Sequence, residues 1–287
     1  MKTRTFSTVV LVGAVALMVA LKNVTGLYVI GLILCLGALW EFYKMAEHKG
    51  VAPFKKTAMV FAALMMIVIY PGFHYQWVQY GYVTLNDKIT GLNANFFNFE
   101  QVLPALFIIS VLGFAALKPT KNNPLARVAV TVFGFLYIPF LFSFLLRLVP
   151  LPNGLLLATY VVVVTKCTDI GAYLVGSCLG KHQMSPQSSP KKTWEGCAGG
   201  VLLALTVSLG FAYFLTPELW WRHALILGVL LPPLSVVGDL IESVIKRDTG
   251  AKDSGAVIPG IGGALDLVDS MLFTAPVFYF YLVLIRL

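Results

Sequence analysis

The sequence predicts an all-α, polytopic membrane protein of about nine transmembrane helices. Three observations predict it. Of 287 residues, 58% are hydrophobic and only 12% charged, against roughly 25% charged in an ordinary soluble domain. The apolar residues gather in repeated runs near the ~20 residues that a bilayer demands. The formal charge of +8 falls mostly on the polar links between those runs, so basic loops at a membrane surface account for it and no nucleic acid is implied.

The elements follow in order. The first run, 5–21, comes after Lys2 and Arg4, as a signal peptide would. No clear A-x-A site follows Leu17-Met18-Val19-Ala20, so the run reads as a retained helix. Spans at 25–43, 57–72 and 100–117 come next, interrupted by the segment 73–99. That segment is rich in Tyr, Trp and Phe and poor in charge, which suits a stretch lying in the headgroup zone. Spans at 127–147, 154–176, 197–215, 222–245 and 265–285 complete the set. Pro139 in the fifth span, and Pro232 and Pro233 in the eighth, predict kinks packed against neighbours. Residues 1–150 form the N-terminal membrane helices and 151–287 the C-terminal ones, in one integral membrane unit. No repeat, low-complexity tract or soluble domain interrupts them.

With the N-terminus in the cytoplasm, sixteen of the 21 Lys and Arg residues fall on cytoplasmic segments. Only Lys22, Lys88, Arg147, Arg222 and Arg286 fall on the other side. That bias sets the orientation and puts the polar loops 177–196 and 246–264 on the cytoplasmic side, where nucleotides are found. The four cysteines, Cys35, Cys167, Cys178 and Cys197, form no C-x-x-C pair and read as small apolar residues in or beside spans. None of the four histidines lies in the charged stretch described next, which argues against a histidine base.

That stretch runs from Ser243 to Asp269. It holds Lys246, Arg247 and Lys252, four aspartates and the run Pro259-Gly260-Ile261-Gly262-Gly263. Ionisable residues in or beside membrane spans are functional candidates by default, because their insertion is costly. Asp266 and Asp269, at i and i+3, share one face at the start of the last span. Asp239 and Glu242 repeat the spacing near the end of the eighth, with Ser243 and Lys246 on the same side. Two helices thus offer oxygen ligands of the kind that suit Mg²⁺. A network of salt bridges to Lys246 or Arg247 would use the same residues. The glycines allow close backbone approach to an anion, and the following helix presents its positive N-terminal end. A tight turn would also use them. The other loop carries Asp169-Ile170-Gly171-Ala172-Tyr173, Gly180-Lys181 and Ser188-Ser189-Pro190-Lys191-Lys192-Thr193-Trp194-Glu195-Gly196. Adjacent lysines with hydroxyls before a helix start suit a nucleoside triphosphate, and also anionic headgroups.

Together these motifs resemble one family. Ser-x-x-Lys-Arg-x₄-Lys-Asp-x-Gly from Ser243, Pro-Gly-x-Gly-Gly from Pro259 and Asp-x-x-Asp from Asp266 resemble the signature of the phosphatidate cytidylyltransferases (CDP-diacylglycerol synthases). So do Ser-Pro-Lys-Lys-Thr-x-Glu-Gly, Asp-x-Gly-Ala-Tyr, and Trp40-Glu41-Phe42-Tyr43 followed by Gly50. The resemblance implies a multi-span membrane enzyme of phospholipid biosynthesis. It would condense CTP with phosphatidic acid, using Mg²⁺, to give CDP-diacylglycerol and pyrophosphate. Its implied setting is the bacterial inner membrane, with the site on the cytoplasmic side, membrane lipids around it and no nucleic acid partner. A homodimer is left open. The resemblance implies Asp239, Asp266 and Asp269 as metal ligands, and Asp266, Asp269, Lys246 and Lys192 as the catalytic set. Ser189, Lys191, Lys192, Arg247, Lys252, Gly262 and Gly263 would hold the nucleotide. The lipid phosphate is already an anion, so attack on the α-phosphate needs no strong base; positioning and charge neutralisation carry the reaction. Two positions depart from the family pattern: Ile261 stands where His is usual, and Leu267 where Arg is usual. A CTP-dependent lipid kinase of the polyprenol type, or an inactive paralogue, would retain much of the same pattern.

Overall fold

In the computed structural model, residues 13, 17–70, 99–117, 123–151, 153–214, 221–251, 254–255 and 263–285 are described. Eight helices form among them. We label them α1 (Val24–His48), α2 (Lys55–Ile69), α3 (Phe99–Leu117), α4 (Pro124–Leu148), α5 (Gly154–Leu179), α6 (Trp194–Phe214), α7 (Trp221–Asp248) and α8 (Leu265–Ile285). Six of these, α1 and α4–α8, are long and apolar enough to cross a membrane. The span expected at 57–72 is the 15-residue α2, about 22 Å long at 1.5 Å per residue and short of the ~30 Å hydrocarbon core. Most of the first apolar run, and all of the aromatic segment 73–99 but its last residue, lie outside the described residues.

Local chemistry sets the helix ends. The Asn23 side chain accepts the Gly26 N–H (2.9 Å) at the start of α1, supplying one of the bonds that a helix N-terminus lacks. At its other end Gly50 takes φ +84° and the chain turns back, with the Val51 N–H on the Ala46 carbonyl, the glycine closure common at helix C-termini. Pro124 opens α4, where its missing N–H costs nothing. Pro139 lies within a π-helical turn, Leu136–Phe140, in the middle of α4; the wider turn accommodates a residue that cannot donate to the ladder. Pro232 and Pro233 lie inside α7.

The all-α expectation agrees with this helical bundle, to which one short hairpin is added. Two short strands, β1 (Gln183–Ser185) and β2 (Ser189–Thr193), pair antiparallel between α5 and α6. The segment reads as a plain loop because its residues, QMS and SPKKT, show no apolar alternation. Main-chain pairing and the bonded hydroxyls of Ser185 and Ser188 across the turn hold it instead.

The C-terminal helices pack in sequence: α5 on α6, α6 on α7, α7 on α8. Small residues let α5 and α6 approach closely. A Cβ on Gly171 would lie 2.7 Å from the Gly199 carbonyl oxygen, so neither helix tolerates bulk there. Helix α8 also packs against α1 and the second half of α4, and one apolar core runs through both halves of the chain. The four cysteines are free thiols. The end of α5, the hairpin, the end of α7 and the start of α8 therefore meet at one end of the bundle, beside the end of α1.

Candidate active site

Three carboxylates converge where α7 meets α8. One oxygen from each of Asp239, Glu242 and Asp269 lies within 4.8 Å of the others. Asp239 is half-buried, while Glu242 and Asp269 are 1% and 4% exposed. Two such charges at that separation repel by about 3.5 kcal/mol even at an effective dielectric of ~20. Asp269 is steadied by its own helix, Oδ1 accepting the Ser270 N–H (2.6 Å) and hydroxyl (3.2 Å). Glu242 Oε2 accepts from Lys246 Nζ at 2.9 Å, but its Oε1 is buried with no donor. A buried carboxylate oxygen without a partner is costly.

Asp266 stands beside this cluster rather than in it. Its Oδ1 takes a bond from Lys246 Nζ (2.7 Å) and its Oδ2 the Gly263 N–H (3.1 Å). At the first turn of α8 it faces the last turn of α7, where Lys246 is; one turn further on, Asp269 faces Asp239 and Glu242. Lys246 thus links Glu242 to Asp266, and both the metal-type cluster and the salt-bridge network expected from the sequence are present, on adjacent turns. Across the site Lys192 Nζ lies 2.6 Å from Asp239 Oδ2. Lys192 and Lys246 contact three of the four carboxylates, and Asp269 has no ion pair with a lysine among the described residues, so the carboxylates formally outnumber these lysines by two. That excess, hard oxygen donors and the unpartnered Glu242 Oε1 fit a divalent cation of the Mg²⁺ type, held by Asp239, Glu242 and Asp269.

The hairpin forms the opposite wall. A cavity of about 300 Å³ lies between it, α5, α6 and α7, lined among others by Asp169, Tyr173, Ser189, Lys191, Lys192 and Asp239. Asp169 accepts from the Ser235 hydroxyl (3.2 Å) and from Lys166 (3.4 Å), so it fastens α5 to α7 on the cavity wall. The hairpin is fixed at its base. Glu195 accepts the N–H groups of Lys181 and His182 (3.1 and 3.2 Å) and pairs with His182 Nδ1 at 2.5 Å. Thr193 Oγ1 caps α6 through the Gly196 N–H (3.1 Å). Arg247 holds the hairpin rather than the cavity: its Nε donates to the Ser188 carbonyl at 3.3 Å.

One residue at the site carries no role in the sequence reading beyond its place in a motif. Glu41, from α1, is 1% exposed. Its Oε2 accepts the Leu265 N–H (3.0 Å) and the Ser254 hydroxyl (3.3 Å). A Cβ on Gly263 would stand 2.6 Å from that oxygen, so glycine is required for the approach. The positive start of α8, expected from the sequence to meet an anionic ligand, is occupied by Glu41 and by Asp266. A carboxylate deep in an apolar helix was the available signal. Gly263 is in place beside these groups, whereas Lys252, Ile261 and Gly262 lie outside the described residues. Leu267, at the position where Arg is usual in the family, packs against the apolar core.

Comparison with known proteins bears on this geometry. A model described as "Cytidylyltransferase family" matches residues 2–285. A phosphatidate cytidylyltransferase of Synechocystis sp. is 32% identical over 283 residues, covering 89% of this chain and 87% of that protein. The uncharacterized protein YnbB of Escherichia coli is 36% identical over 215 residues, 72% of this chain and 70% of its own length. A phosphatidate cytidylyltransferase of Mycobacterium bovis is 41% identical over 154 residues, 54% of this chain and 50% of its own. Matched along nearly its whole length, and built on six helices apolar enough to cross a bilayer, the chain is an integral membrane enzyme that belongs to the cytidylyltransferase family.

Proposed function

We propose that the chain condenses CTP with phosphatidic acid to give CDP-diacylglycerol and pyrophosphate. The observation that carries the reading is one cavity with lysines of the hairpin, Lys191 and Lys192, on one side and the carboxylates of Asp169 and Asp239 on the other, Asp239 being also a member of the three-carboxylate cluster with Glu242 and Asp269. The names of the Synechocystis and Mycobacterium relatives agree with it. An oxygen of the lipid phosphate attacks the α-phosphorus of CTP. A P–O bond forms there as the bond to the β-phosphate breaks, and pyrophosphate leaves with the electron pair. No proton is removed from the nucleophile, which fits a site whose polar groups are carboxylates and cations.

The residues divide the work by position. Lys191, Lys192 and Ser189 hold nucleotide phosphates from the hairpin. Asp239, Glu242 and Asp269 hold Mg²⁺, which neutralises phosphate charge when bound. Lys246 orients Glu242 and Asp266. Arg247 fixes the hairpin turn over the cavity. Nine spans, counting the run at 5–21 and the short α2, with the N-terminus inside, place this end of the bundle at the cytoplasmic face of the inner membrane; the distribution of basic residues supports that orientation. The test is incubation of purified protein with CTP, Mg²⁺ and phosphatidic acid. Formation of CDP-diacylglycerol with release of pyrophosphate is expected. A simple lipid phosphate formed from an added polyprenol, or no product at all, overturns the reading.

A further inference from the structure

The acidic cluster has a second side, where α4 packs against α8. The cavity reaches it from α5, the hairpin, α6 and α7, and no residue of α4 lines that cavity. From the other side comes Tyr137, on the π-helical turn of α4. Its ring is stacked on Phe133 (5.3 Å between centroids, 12° between planes) and packed on Phe42 (6.3 Å) and Phe273 (6.4 Å). Phe273 lies four residues beyond Asp269 on α8, on the same face of that helix. Tyr137 is 5% exposed, and its hydroxyl has no hydrogen-bond partner among the described residues. The charges that act on this hydroxyl are the carboxylates of Asp269, Glu242 and Asp239.

We propose that the Tyr137 hydroxyl is the donor that receives the lipid phosphate, on the side of the acidic cluster away from the nucleotide. The proposal rests on the cytidylyltransferase reading and extends it to the lipid subsite. Buried phenols usually find a partner, and a buried hydroxyl without one is destabilising, so a partner absent from the chain itself is indicated. Aromatic rings pack around the Tyr137 ring on that side, an apolar setting compatible with acyl chains. A phosphate brought against three carboxylates needs a donor there. A neutral phenol supplies one without being drawn into the acids as a lysine would be. The π turn adds a residue to one turn of α4, a distortion frequent at functional sites, and it occurs where this side chain is presented.

The test is Tyr137→Phe, which keeps the ring and its packing and removes only the hydroxyl. With phosphatidic acid varied in mixed micelles at saturating CTP, kcat/KM for the lipid is expected to fall roughly 10- to 150-fold, the range for losing one hydrogen bond to a charged group. The KM for CTP is expected to stay unchanged. The thermal midpoint should hold or rise, because an unpartnered polar atom has been removed. Unchanged lipid kinetics, or a loss confined to CTP, overturns the proposal. A second measurement needs no turnover: retention of phosphatidic acid by the purified protein in native mass spectrometry, without CTP. Weaker retention by Tyr137→Phe supports the subsite, and equal retention overturns it. If the unsubstituted enzyme makes no CDP-diacylglycerol, the reading of the reaction fails while this comparison still decides the role of Tyr137.

Discussion

Glu41 offers the sharpest test of how the site is held. Two substitutions separate its charge from its hydrogen bonds. In Glu41→Gln the amide oxygen, placed where Oε2 lies, can still accept both the Leu265 N–H and the Ser254 hydroxyl, so both contacts survive. What is lost is the negative charge at the start of α8, worth up to about 2 kcal/mol in a buried setting. In Glu41→Leu both acceptors go while the volume is roughly kept. The Leu265 N–H and the buried Ser254 hydroxyl are then left unsatisfied, at about 1–3 kcal/mol each, or roughly 2–6 kcal/mol together. At about 2–4 °C per kcal/mol for a chain of this order of size, Leu is expected to lower the melting temperature by roughly 4–24 °C and Gln by at most about 8 °C. Because Glu41 holds the Leu265 N–H, beside Asp266 and one turn before Asp269, turnover should fall in the same order. Thermal unfolding followed by tryptophan fluorescence in detergent, with turnover on the same preparations, reads both. Equal losses for Gln and Leu would show that charge alone matters; wild-type melting and turnover in Glu41→Leu would refute the brace outright.

Three further outcomes are expected. Glu242→Gln should raise the Mg²⁺ concentration needed for half-maximal activity more than Asp266→Asn does, because Glu242 lies in the three-carboxylate cluster while Asp266 is engaged by Lys246; a Mg²⁺ titration showing the reverse order would restore Asp266 as the ligand. Lys192→Ala should cost roughly 10- to 150-fold in kcat/KM for CTP, the loss of one charge-assisted contact, and an unchanged value would remove the hairpin from the nucleotide site. In a cysteine-free background, Gln187→Cys, exposed at the hairpin turn, should react with a membrane-impermeant maleimide only after lysis; labelling of intact cells would invert the proposed topology.

Most of the helices were legible in the sequence because a bilayer imposes a crude rule. A spanning segment must satisfy its own backbone and show an apolar surface, so long apolar runs mark α1 and α4–α8 within a few residues. The runs over α2 and α3 were equally visible, yet hydropathy did not separate the 15-residue α2 from a full span. The charged motifs stood out for the complementary reason: ionisable groups are rare in such a chain. Lys191, Lys192, Asp239 and Asp269 could therefore be picked out as candidates from type and spacing, with their roles implied by the family resemblance, and the structure brings Lys192, Asp239 and Asp269 to one place.

Which groups touch was settled only by tertiary packing. Spacing at i and i+3 puts Asp266 and Asp269 on one face, but it carries no information on what lies opposite. The end of α7 presents Lys246 to the first and two carboxylates to the second, so Glu242 joins the cluster and Asp266 does not. Arg247 reads as a phosphate ligand in a basic run, yet the hairpin turn lies within its reach and takes it. Glu41 meets Leu265 across 224 residues of chain, and Tyr137 packs on Phe273 of α8 from a π turn that no local pattern announces. The physical reason is one of range. Hydrophobicity and helix period are properties of neighbouring residues and can be read along the chain. Hydrogen bonds and ion pairs act over a few ångströms between side chains far apart in sequence, and their partners exist only once the helices have packed.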